Sequence, residues 1–463
     1  MRMVFRFFYI IYMFIFSKCL YSLTWNVSRP YSDDKREILL PSFSRVRQDL
    51  IFKKGDEIEI FFFPQKRPMK VEWELTYNMV NKSFLKGTGE TCLDRSVRVV
   101  VPSEKLLPGF FDLKVKVYVT EQEHVEGLST FGYRVEDMEF TENMPKDFES
   151  FWEEAKDKVK NESLNIIEEF ECEMDDAQIS KYNLEEASRP EDYDPEGKKY
   201  NKIRAYKISF TAGGQRFYGR LSVPIGEGPF PGLLVVPGAG IGKVPIPAEQ
   251  ARHGFVTLML QIHPNLELNH KSGIKIPEYL KYIVRDYPNE IKDEYLYNVF
   301  LGCIGAVNYL KQRKDVDPKK IAVAGQSQGG MLSLITAALS KDVTAVVSTL
   351  TAFGYWPFRE YVKRVNRTET SGWPKIVKPP FSVYDKRIKY LSYYDTMNFA
   401  KYVKCPVMIL ACLCDRVTPV TTAYCVHKNI AGSSKIYFSP NTNHDFIISF
   451  EKLAWRWLQE MFD

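Results

Sequence analysis

Three residues in one chain order could together hydrolyse an acyl bond: a serine on a glycine-rich turn, then an aspartate, then a histidine. The serine is Ser327 in Gly325-Gln326-Ser327-Gln328-Gly329, with a further glycine at Gly330. This fits G-x-S-x-G, and its flanks supply the context that pattern needs. Ile321-Ala322-Val323-Ala324 reads as a short buried strand, and Met331 to Leu339 reads as an apolar helix. Strand, tight turn and helix would project the hydroxyl over a helix N-terminus, where developing negative charge is favoured. The glycines allow a strained turn and a close approach of strand to helix.

A serine hydroxyl needs a base within hydrogen-bond reach and a carboxylate to orient that base. Only His427 and His444 follow Ser327. His444 lies in a loop between a predicted strand and the terminal helix, which favours it as the base. His427 falls inside a predicted helix. The strand Pro406 to Cys412 leads directly to Asp415, the expected acid. Asp445 adjoins the base too closely to orient its ring. An oxyanion hole needs two backbone N–H donors. Gln328, just after the serine, is one. Ala239, in Val236-Pro237-Gly238-Ala239-Gly240, is the expected second, with Gly238 and Gly240 as alternatives. Pro237 cannot donate, and the loop lacks the lysine pattern of a phosphate-binding turn. The aromatic stretch Phe353-Gly354-Tyr355-Trp356-Pro357-Phe358 is either a substrate wall, with Tyr355 and Trp356 touching the ligand, or core packing.

The chain around these residues falls into two blocks. From 23 to 137 the chain alternates apolar and polar residues with period two. Val71, Trp73, Leu75 and Tyr77 are one such run, and Leu113, Val115, Val117 and Val119 are another. Short strands without helices predict an immunoglobulin-like β-sandwich. From 143 to 463, apolar strands alternate with helices. Asp147 is placed to cap a helix burying Phe148, Phe151, Trp152, Ala155 and Val159. Gly213-Gly214 joins a hairpin, and Tyr295 to Leu310 is helical. This pattern predicts an α/β-hydrolase domain on a mostly parallel, doubly covered sheet.

The first 22 residues differ from the rest. Two arginines precede an apolar run from Phe7 to Phe16, which suits a signal peptide and an exported enzyme better than a membrane span. Lys18 before Cys19 argues against lipid attachment at that cysteine. A net charge of +5 from 63 basic and 58 acidic residues, without a basic stripe, argues against a nucleic-acid partner. The eight cysteines show neither disulfide nor zinc spacing, and no cofactor is expected.

Taken together, the segments Asp147 to Trp152, Ile321 to Gly330, Leu391 to Ala400 and Cys405 to Pro419, with Asn443-His444-Asp445, resemble the acetyl xylan esterase/cephalosporin C deacetylase family, carbohydrate esterase family seven. The resemblance covers about 143 to 463. It implies a serine esterase removing acetyl groups from small acetylated sugars, with nucleophile, acid and base on Ser327, Asp415 and His444. The family's oxyanion tyrosine falls on Ala239. Its Arg-Gly-Gln motif would fall near Gln261-Ile262-His263-Pro264-Asn265 and is absent, which leaves His263 as an oddity better suited to a structural role. Simple members form ring-like hexamers, so a homo-oligomer is a candidate state, against which the added β module stands. Acyl-CoA thioesterases and bile acid acyltransferases also join a β-sandwich to this fold, and prolyl-oligopeptidase-type peptidases are a further alternative.

Overall fold

The computed structural model describes residues 42–185, 195–268, 295–368 and 386–463. The expected signal segment, with Cys19, lies outside them. The described residues form one compact unit.

The N-terminal part is built from short strands. One sheet joins β1 (Ser42–Phe43), β3 (Ile58–Phe62), β7 (Val97–Val101) and β6 (Glu90–Thr91). The other joins β2 (Ile51–Phe52), β9 (His124–Tyr133), β8 (Gly109–Tyr118), β4 (Lys70–Tyr77) and β5 (Leu85–Thr88). The period-two runs explain their burial. Val71, Trp73 and Leu75 of β4 and Leu113, Val115 and Val117 of β8 face inward, as do Ile58, Ile60 and Phe62 of β3. These residues share one core cluster with apolar residues of the following α/β part, so the two blocks are packed continuously.

That second part begins with α1 (Phe148–Asn161). Phe148, Trp152, Ala155 and Val159 are buried as the spacing predicts, but Asp147 differs. Its side chain does not cap the helix; its carboxylate accepts the Tyr393 hydroxyl instead, at 2.6 Å. The nine-stranded sheet follows the order β10 (Ile167–Asp175), β11 (Lys202–Ala212), β12 (Gln215–Pro224), β14 (Val256–Gln261), β13 (Phe230–Val236), β15 (Val316–Gln326), β16 (Ala345–Thr349), β17 (Val407–Cys412) and β18 (Ser434–Ser439). β11 and β12 are the hairpin around Gly213-Gly214. From β14 to β18 all neighbours run parallel. Parallel strands are covered on both faces and are therefore apolar throughout, as β17 is along its full length.

The covering helices are α2 (Asp176–Glu185), α3 (Ala248–Arg252), α4 (Tyr295–Gln312), α5 (Gln328–Leu339), α6 (Trp356–Thr368), α7 (Lys386–Leu391), α8 (Thr396–Ala400), α9 (Val420–Asn429) and α10 (Ile448–Phe462). No helix among the described residues is long and apolar enough to cross a membrane. The site residues all follow the C-terminal ends of parallel strands, where an open α/β sheet places its ligands.

Candidate active site

Ser327 occupies the turn between β15 and α5 with φ 59° and ψ −116°. A non-glycine residue rarely adopts this conformation, which costs on the order of 1–3 kcal/mol. The surroundings over-determine it. The Ser327 N–H donates to the Thr349 carbonyl at 2.8 Å, and its carbonyl accepts from Ala352 N–H and Met331 N–H, both at 3.1 Å. Glycine is needed because backbones touch here. A Cβ on Gly329 would stand 2.3 Å from the Val236 carbonyl oxygen, and one on Gly325 would stand 2.6 Å from the same atom.

Two further loops meet this turn. The Ser327 hydroxyl lies 3.0 Å from His444 Nε2, and His444 Nδ1 lies 2.7 Å from Asp415 Oδ2. The carboxylate can only accept, so Nδ1 carries the proton and Nε2 is left to accept from the serine. Asp415 is fully buried and its other lone pairs are occupied. Oδ1 accepts from Val417 N–H at 2.7 Å and Thr418 N–H at 2.8 Å, and Oδ2 accepts the Thr418 hydroxyl at 2.7 Å. His427 stands apart, with Nδ1 on the Ser434 hydroxyl at 3.0 Å and burial lowering its pKa. Asp445 turns its carboxylate to the Asn443 N–H.

The loop after β13 leans on the elbow. A Cβ on Gly238 would lie 3.5 Å from the Gln326 carbonyl and 4.0 Å from Ser327 Cβ. Ala239 beyond it is exposed, and Gln328 opens α5. Here His263 has a definite place. Its Nε2 lies 3.0 Å from the Gly240 carbonyl, and its Nδ1 lies 2.5 Å from the Tyr295 hydroxyl. A carbonyl can only accept, so Nε2 donates and Nδ1 accepts from Tyr295. Burial holds its pKa below the ordinary histidine range, in keeping with the neutral ring this needs. The side chain at the position of the missing Arg-Gly-Gln motif thus ties down the loop that carries Ala239.

At Tyr355 the aromatic stretch is core packing and not a substrate wall. Tyr355 is not placed to touch a ligand. Its ring is fully buried against Phe140 and Phe358, and its hydroxyl accepts the Thr141 N–H at 2.9 Å. Trp356 is 5% exposed; its buried indole N–H has no partner among the described residues, and the Arg359 guanidinium stands 5.5 Å over its ring. This loop is strained, with Leu350, Phe353 and Tyr355 all at φ near +50°. Asp395, fully buried, holds it. Its carboxylate accepts from the N–H groups of Tyr355, Trp356 and Met397 at 2.8–3.0 Å and from Asn143 Nδ2 at 3.0 Å. Asp395 belongs to the segment Leu391 to Ala400, whose role was not readable from sequence. No group of metal-ligating side chains occurs among the described residues. Their seven cysteines are free, and burial pushes Cys405 and Cys414 up to about 11.

Residues 133–461 match the family model described as acetyl xylan esterase (AXE1), well over half of the chain. The chain belongs to the acetyl xylan esterase family. It is therefore a carboxylic ester hydrolase on the α/β-hydrolase fold. Among its relatives is the acetyl esterase Axe7A of Xylanibacter ruminicola, 27% identical over 435 residues, 90% of this chain and 88% of that one. The peroxisomal succinyl-coenzyme A thioesterase of Mus musculus is 33% identical over 129 residues, covering 28% of this chain and 25% of that protein. Among solved structures, the acetyl xylan esterase from Paenibacillus sp. R4 superposes with a TM-score of 0.53 at 22% identity. It covers 71% of this chain and 98% of its own. Acetyl xylan esterase 1 from Thermoanaerobacterium sp. JW/SL YS485 gives 0.51 at 20% identity with the same coverage. The family model begins at residue 133, where the strands of the β module end, whereas the match to Axe7A takes in 90% of this chain.

Proposed function

We propose that this family member removes acetyl groups from acetylated sugars and xylo-oligosaccharides through a Ser327-His444-Asp415 triad and an acyl-enzyme. The observation that carries the reading is the unbroken hydrogen-bond chain from the Ser327 hydroxyl through both ring nitrogens of His444 to Asp415. His444 Nε2 takes the serine proton as Oγ attacks the acetyl carbonyl. Asp415 stabilises the imidazolium that forms. The carbonyl oxygen, now negative, accepts from the N–H of Gln328 and of Ala239. His444 then protonates the leaving sugar oxygen. Water, deprotonated by the same nitrogen, releases acetate and restores the serine.

Export is part of the same proposal, resting on the apolar run after Arg6. A thioesterase is the second reading, favoured by the segment shared with the succinyl-coenzyme A enzyme.

A fluorophosphonate probe tests the nucleophile. Wild type should label at Ser327 and Ser327→Ala should not; an unlabelled wild type would refute the triad. Rates on p-nitrophenyl acetate, longer acyl esters, acetylated xylo-oligosaccharides and acetyl-CoA test the substrate. A preference for the acetylated oligosaccharide is expected, and faster turnover of the CoA ester would favour the second reading.

A further inference from the structure

The β module touches the two loops that carry the acid and the base. Asp112 of β8 is 1% exposed, and its carboxylate accepts from Asn78 Nδ2 at 3.0 Å, Met79 N–H at 2.8 Å and the Thr130 hydroxyl at 2.8 Å. Its remaining donor comes from the other part of the molecule. It is Arg416 Nη1, on the residue directly after Asp415. The same guanidinium reaches Met79 Sδ at 3.6 Å, and the Arg416 N–H donates to Asn443 Oδ1, one residue before His444. Thr421, at the start of α9, donates to Asn78 Oδ1 at 3.0 Å.

A second tie lies on the base loop. Asn441, three residues before His444, has φ 56°. Its Oδ1 accepts the Ser42 hydroxyl at 2.6 Å, and its Nδ2 donates to the Ser42 carbonyl at 2.7 Å. The Ser42 hydroxyl also meets that of Ser129 at 2.8 Å. α6 is joined to the same edge of the module, because Asn366 exchanges hydrogen bonds with the Met79 carbonyl and the Asn81 N–H.

Loops beyond strand ends have no ladder of their own and open more easily than the sheet. A catalytic group must nevertheless be held to within about 0.5 Å. We propose that the β module is a positioning part of the active site. It acts through Asp112 on Arg416, and so on Asp415, and through Ser42 on Asn441, and so on His444. The inference rests on the triad reading above, and Arg416 and Asn441 are its positioning residues.

The test uses the full chain with active sites titrated by fluorophosphonate, so that unfolded protein does not count. Arg416→Ala should lower kcat on p-nitrophenyl acetate by about 10- to 100-fold, as expected for a displaced catalytic group, with KM within about twofold. The probe's labelling rate should fall by a similar factor. Arg416→Lys keeps a charge facing Asp112 and should recover much of kcat. Asn441→Gly tolerates the left-handed backbone, removes the Ser42 tie and should also lower kcat. It decides the matter independently if Arg416→Ala does not fold. A purely structural role would lower Tm and leave kcat per titrated site unchanged. Wild type that labels while both variants keep kcat within about threefold would overturn this inference alone. Wild type that does not label would overturn the triad reading and this inference with it.

Discussion

Asp415→Asn is the sharpest perturbation of the site. The two carboxylate oxygens have different partners, so the amide can be seated in only two ways. With its oxygen toward His444, its NH2 faces the N–H groups of Val417 and Thr418, now 2.7 and 2.8 Å away. That opposes donors to donors at two buried bonds, each costing about 1–3 kcal/mol. With its NH2 toward His444, both backbone bonds survive and the Thr418 hydroxyl can turn to accept. His444 must then accept at Nδ1 and carry its proton on Nε2. The second seating is favoured by several kcal/mol, and it leaves Nε2 unable to take the Ser327 proton. The expected loss in kcat is about 10⁴-fold, near 5.5 kcal/mol in the barrier. Tm should change little, because no buried donor is stranded. Stopped-assay hydrolysis of p-nitrophenyl acetate, with labelling of Ser327, measures it. A loss below about tenfold in a folded variant would refute the assignment of Asp415 and the tautomer argument together.

Three further outcomes are expected. His263→Phe should remove the ring's hydrogen bond to the Gly240 carbonyl and lower kcat by about tenfold while KM moves little, read by steady-state kinetics, because the proposed oxyanion loop loses that tie. Asp395→Ala should cost about 3 kcal/mol in urea unfolding, since it strands buried N–H donors on a strained loop. Stability should fall as pH drops below about 6.5. Burial lowers the pKa of His263 and His427 in the folded state, so the unfolded chain takes up protons there first; urea midpoints at pH 7.5 and 5.5 check this.

Much of the candidate site was legible because its residues follow rules local in sequence, and the structure brings Ser327, His444 and Asp415 together. Ser327 was marked by its glycines and by the strand and helix around it. Asp415 and His444 followed from chain order and from lying just beyond predicted strands. The hairpin at Gly213-Gly214 and the helix from Tyr295 were likewise readable from turn chemistry and apolar content. What stayed hidden depends on partners far apart in the chain. Tyr355 looked like a ligand contact because its burial depends on Phe140, in the linker from the β module. Asp395 had no visible role because two of the three N–H groups it serves, those of Tyr355 and Trp356, lie on another loop. Asp112 and Arg416 carry no motif, and only the packing of two blocks brings them together. Asp147 shows the reverse case, a cap signal overridden by the distant Tyr393 hydroxyl.

The clasp of Ser42 on Asn441 joins residues 399 positions apart. Its consequence is one of timing. As the chain is synthesised, Ser327 emerges well before Asp395, which steadies the loop beside it, and before Asp415 and His444. The strand bearing Ser42 is made long before its partner and waits for it. Contacts of such long range form late and slowly. The proposed triad therefore becomes competent only once Asn441 and His444 have been made and have joined Ser42 and Ser327, and a nascent chain stopped short of His444 would carry a serine that is shaped but idle.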